Sequence, residues 1–115
     1  MTDVIRIEKL KRTSMVSIHA GVAHVAGMCG DRGAPIADQT RVALEKVDRW
    51  LAAAGTDKSR ILRATVWLSD VAHFEPMNAV WEAWVDPDNP PSRAAGIVPP
   101  AAPGYDVEII VTAAI

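Results

Sequence analysis

The sequence predicts an α+β fold: one mainly antiparallel sheet backed on one face by two helices, in the order ββαβαββ. Three observations lead there. Short runs rich in β-branched residues alternate between faces around tight turns, and two longer segments repeat apolar residues at helical spacing. A chain of 115 residues then holds one core and one domain, 1–115.

The first clear element is "MVSIHAGVAHVAG", two strands around Ala20-Gly21, read as a hairpin. Alternation places Val16, Ile18, Ala23 and Val25 on one face and Ser17, His19, Val22 and His24 on the other. "DVIRIEK", upstream, is a candidate for a further strand. The loop "MCGDRGAPIAD" feeds a helix capped near Asp38, whose stripe is Thr40, Ala43, Leu44, Val47, Leu51 and Ala54, with Gly55 to end it. In the next strand, "RILRATVWLSD", Leu62, Ala64, Val66 and Leu68 form an apolar face, and Arg63, Thr65 and Trp67 a mixed one. Asp70 opens the second helix, where Phe74, Met77, Val80, Trp81 and Trp84 keep helical spacing and Pro76 sits in the first turn. "DPDNPP" stops it, and the strands "SRAAGIV" and "YDVEIIVTAAI" finish the chain. The outer sheet face, with Ser17, His24, Arg63, Thr65, Trp67 and Glu108 or Ile110, is too mixed for a core and too apolar for water. Burial against another subunit is expected there.

Bulk properties narrow the function. The formal charge is −2 with basic residues dispersed, which gives no footprint for nucleic acid. No apolar run reaches the ~18 residues that would span a membrane. The N-terminal stretch alternates apolar and charged residues without a signal-peptide core. A single cysteine, Cys29, excludes an intrachain disulfide framework and suits a reducing compartment, so a cytoplasmic location is expected.

Candidate chemistry is sparse. His19, His24 and His73 have no carboxylate pair to complete a ligand set, so no metal is expected. Cys29 lies near Gly27 and Gly30 with Arg32 the nearest cation in sequence, but a reactive thiol needs a depressed pKa, and a passive one is the plainer reading. Trp81 and Trp84, one turn apart, are placed to wall a pocket. Arg93, in "NPPSRAAGI", stands out because a proline turn fixes its strand and Ala94, Ala95 and Gly96 leave room beside it. Such a guanidinium fits a carboxylate or phosphate through two parallel hydrogen bonds; the alternatives are an ion pair, for example with Glu108, or a solvated edge-strand arginine.

The segments "VAHVAG", "ATVWLSDVAHFEPMNAVWEAW", "PPSRAA" and "DVEI", in this order over nearly the whole chain, resemble the reactive-intermediate deaminase (Rid, YjgF-type) family. That resemblance implies a chorismate-mutase-like fold and a homotrimer with a central barrel and clefts between subunits. It implies hydrolysis of 2-imino or enamine acids to 2-keto acids and ammonia, with no cofactor. Arg93 then matches the arginine that holds the substrate carboxylate, Asn78 a pocket asparagine, and Glu108 the first glutamate of the closing strand. Backbone near Gly27 and Ala95 would place the water. Several positions depart from the family pattern: Ile110 replaces a second glutamate, Thr13 a tyrosine, Ala26 a small polar residue, Met28 a glutamine and Ala95 a cysteine. Binding of a small 2-keto or 2-imino carboxylate survives these changes better than chemistry does. A non-catalytic small-carboxylate or partner-binding trimer, or an isomerase-like activity on another carboxylate, therefore stands beside the deaminase. Members linked to RNA cleavage fit poorly with the acidic balance.

Overall fold

Ala20 and Gly21 both adopt positive φ, 51° and 78°, which gives a two-residue turn whose twist matches its flanking strands. In the computed structural model, which describes residues 3–115, this turn joins β2 (Ser14–His19) to β3 (Val22–Val25). Val16 pairs with Val25 and Ser17 with His24, so the expected division of faces holds. The candidate upstream strand is present as β1 (Ile5–Lys9), antiparallel to β2.

Helix α1 (Ile36–Ala53) buries five residues of the expected stripe, and the sixth, Ala54, is buried at its C-cap. It starts before Asp38: Pro35, with no N–H to satisfy, sits at the cap position, and Asp38 lies in the first turn, where a carboxylate meets the positive end of the helix dipole. Gly55, at φ 81°, ends the helix; its N–H bonds Ala52 O while Thr56 N–H reaches back to Leu51 O.

Strand β4 (Ile61–Leu68) corrects one expectation. Leu62 is 49% exposed, and Ile61 takes its place in the core. The register against the last strand shifts between Ile61 and Arg63, and that bulge turns two successive residues out of strict alternation. From Ala64 onward the pattern is regular, with Ala64, Val66 and Leu68 fully buried. Asp70 accepts a hydrogen bond from Ala72 N–H at 2.8 Å and opens a short 3-10 turn ahead of α2 (Phe74–Trp84), which presents Met77 and Trp81 to the sheet.

Helix α2 carries the chain to β5 (Ser92–Ile97), which lies parallel to β4 at the sheet edge. Strand β6 (Val107–Ala114) then inserts between β3 and β4, giving the order β1-β2-β3-β6-β4-β5 with every pair but β4–β5 antiparallel. Both helices cover one face. The core beneath them includes Leu44, Leu51, Leu68 and Met77, each worth about 1.5–3 kcal/mol relative to exposure. The other face carries Ser17, His24, Thr65, Trp67, Glu108 and Ile110, and no element of the described chain packs over it.

Two contacts fix the loops that flank the sheet. A Cβ on Gly30 would lie 2.5 Å from Gln39 Cα, so only glycine lets this loop pass the start of α1. The buried Gln39 amide clamps the β5–β6 loop: its Nε2 donates to Ala34 O, Gly104 O and Asp106 Oδ2, and its Oε1 accepts from Asp106 N–H.

Candidate functional site

Arg93 and Ala64 are neighbours across β5 and β4, and Ala64 faces the helices, so the arginine side chain lies under α2. Its guanidinium carbon stands 5.1 Å from the centre of the Trp81 ring, and Nη1 lies 3.9 Å from Met77 Sδ. Among the described residues no carboxylate comes within 4.0 Å of it. The ion pair with Glu108 does not form: Glu108 neighbours Trp67 on the sheet's other face. A cation held by sulfur and a ring face keeps its full charge and most of its in-plane N–H donors.

Two further expected residues share this side. Ala95 lies two positions along β5 and contributes no bulk, being paired with Val66. Asn78, one turn before Trp81 on α2, buries an Oδ1 that has no hydrogen-bond partner. An unsatisfied buried acceptor costs on the order of 1–3 kcal/mol.

Gly27, Glu108 and Cys29 form a second group. Gly27 lies against Glu108, and a Cβ there would come 2.9 Å from Glu108 Cδ, so the glycine makes room for that carboxylate. Cys29 is near the same acid. Burial pushes its thiol pKa up, the Glu108 charge adds to the rise, and Lys46 opposes both. Lys46 donates at 2.8 Å to the Cys29 carbonyl oxygen. A thiol raised in this way is protonated at neutral pH and is a poor nucleophile. Ile110, two residues past Glu108, is partly buried beside Thr65. Thr13 is exposed in the β1–β2 turn, where its hydroxyl donates to the Ser14 carbonyl and its own carbonyl accepts from Leu10 N–H, and the chain does not bring it to either group.

One chain thus assembles Arg93, Trp81, Ala95 and Asn78 on the helix side, and Gly27, Glu108 and Cys29 on the open side. Two surfaces of one sheet cannot converge on one small molecule, but a face of one copy and an edge of another can. A concavity of about 360 Å³ lies between Arg60, Leu62 and Pro90 at the start of β4, and Arg93 is not among the residues that line it.

Met77 is the site residue that sequence reasoning missed. Its place in the α2 stripe marks it as core, and only the packing shows its sulfur against Arg93. Among the described residues, no three His, Cys, Asp or Glu side chains lie close enough to hold a metal ion.

A family model described as Endoribonuclease L-PSP matches residues 6–115. A RutC family protein of Haemophilus ducreyi is 43% identical over 113 residues, covering 97% of each chain. The crystal structure of a YjgF-family protein from Neisseria meningitidis matches with a TM-score of 0.94 at 36% identity, over 97% of this chain and 94% of that one. Further off, a 2-iminobutanoate/2-iminopropanoate deaminase of Bos taurus is 32% identical over 98 residues, 85% of this chain and 69% of that protein.

Proposed function

This chain belongs to the endoribonuclease L-PSP (YjgF) family, and on that premise we propose that it is a homotrimeric deaminase of 2-imino and enamine acids. The observation that carries this reading is Arg93, whose guanidinium rests on Trp81 and Met77 with no acidic partner of its own. The Bos taurus relative named for 2-imino acids supports the substrate class. The division of the expected residues between two faces supports a cleft between subunits, as does the mixed open face, where Trp67 and Ile110 would otherwise meet water. The RNA chemistry in the family description finds little support in a chain of charge −2 with dispersed basic residues.

In the proposed reaction the substrate carboxylate takes the in-plane N–H donors of Arg93 as a bidentate partner, which fixes the position of the adjacent C=N carbon. Asn78, one turn before Trp81 on α2, is the pocket residue assigned to the imine end of the substrate. Water attacks the carbon and gives a carbinolamine. The C–N bond then breaks, both water protons end on nitrogen, and a 2-keto acid and ammonia leave. With Ile110 in place of an acid, the chain offers orientation more than proton transfer, and for an intrinsically easy hydrolysis orientation alone accelerates. Glu108, beside Gly27, is the carboxylate of the opposing surface. A cytoplasmic setting suits the single unpaired thiol.

The test generates 2-iminopropanoate in situ with an amino-acid oxidase and follows its loss. Acceleration by wild type, lost in Arg93→Ala, is the expected result; equal loss with and without protein refutes the deaminase. The second reading, a carboxylate-binding trimer without activity, rests on the raised Cys29 pKa and on Ile110, which leave few groups to move protons. Calorimetric binding of pyruvate by wild type but not Arg93→Ala, with no turnover, would establish that reading instead. A monomer in sedimentation would refute the shared cleft.

A further inference from the structure

We propose that Trp81 is a positioning residue: it holds the Arg93 guanidinium by its face so that the edge stays free for the ligand carboxylate. This rests on the carboxylate reading above and adds to it a residue that acts through Arg93 rather than on substrate. Trp81 is only 7% exposed, so a small ligand has little of it to touch, yet the centre of its ring lies 5.1 Å from the guanidinium carbon. A ring attracts a cation through its π face and uses none of the N–H donors, which point outward in the guanidinium plane. An acidic residue in the same place would occupy those donors and neutralise the charge.

The ring itself is held from behind. Trp84 packs on it with centroids 5.3 Å apart and planes at 52°. Trp84 Nε1–H donates at 2.9 Å to Asp48 Oδ2 on α1, and Lys58 Nζ stands 5.2 Å from the Trp84 ring. Two helices and the turn before β4 therefore fix the plane on which Arg93 rests. Met77, one turn before Trp81, closes one side with sulfur. The ring and the sulfur are both soft, uncharged partners, which favours orientation without loss of charge.

The experiment compares Trp81→Leu and Trp81→Phe with wild type in pyruvate titration, imine turnover and the NMR signals of the arginine Nε–Hε groups. The Arg93 signal, identified by its loss in Arg93→Ala, is expected upfield of the other arginines because of the ring current. Trp81→Leu should abolish that shift and weaken Kd and KM about tenfold with kcat little changed, since the carboxylate is held equally in ground and transition states. Trp81→Phe, which keeps a π face, should retain much of the shift and bind within about threefold of wild type. A merely structural role would lower kcat and KM performance together and would not be rescued by ring character. Wild type that binds pyruvate but shows no upfield Arg93 signal overturns the proposal, and this measurement holds even if Trp81→Leu fails to fold. Folded Trp81→Leu with wild-type affinity overturns it equally. Wild type that shows the shift but binds no carboxylate refutes the carboxylate reading, and with it the purpose of the contact.

Discussion

Replacing Gln39 by leucine removes one buried amide that ties the β5–β6 loop to helix α1. The side chain has no exposed surface, and its Nε2 donates to Ala34 O at 2.8 Å, Gly104 O at 3.3 Å and Asp106 Oδ2 at 3.2 Å. Its Oε1 accepts from Asp106 N–H at 2.9 Å. Leucine fills nearly the same volume, so cavity formation adds little. The largest loss is the Asp106 N–H, which is left without this acceptor and costs about 1–3 kcal/mol. The bond to the Asp106 carboxylate is charge-assisted, but that side chain is 33% exposed and water replaces much of it, leaving about 1 kcal/mol. The two carbonyl acceptors add a few tenths each, so Gln39→Leu should destabilise by about 2–4 kcal/mol. Urea unfolding, followed by tryptophan fluorescence at one fixed protein concentration so that the proposed assembly would enter equally for each variant, measures this directly. The m-value should stay constant while the midpoint falls. Asp106→Asn, which keeps the N–H bond, should lose clearly less. A Gln39→Leu protein within 0.5 kcal/mol of wild type would show that the amide network does not hold the loop.

Gly30→Ala should destabilise by about 2–4 kcal/mol, because the new Cβ meets the backbone of α1 at Gln39, which cannot swing aside as a side chain would; a thermal melt within a degree or two of wild type would refute this. Cys29 should alkylate with iodoacetamide at pH 8 more slowly than a free thiol, and Glu108→Gln should speed it by removing the second cause of its raised pKa. Because the fold favours the neutral thiol, the same group should cost stability as pH rises through the unfolded thiol pKa and beyond; a stability profile that instead rises there would contradict the sign.

Much of the fold was legible in the chain because its segments are locally consistent. The α1 stripe, the Gly55 stop, the Ala20-Gly21 turn and the alternation of β2, β3 and β6 each point to the observed element. Leu62 departs from its expected face for a physical reason: a bulge depends on the partner strand, and two adjacent aliphatics give no sign of which one the register will bury. Proline at the α1 cap was masked by Asp38, a better cap by type but one that the loop delivers into the first turn.

At the candidate site, an arginine among small residues after a proline turn, with tryptophans at helical spacing upstream, can be read directly from the chain. Residue type, spacing and turn chemistry are properties of the local chain, and they carried that far. The tertiary structure decided which of Arg93's possible partners it meets. Pairing β5 in parallel beside β4 turns Arg93 toward α2, so Trp81 and Met77 receive it, while Glu108 goes to the opposite face. That choice is made by strand order and register, which join residues distant in the chain and leave no periodic trace along it.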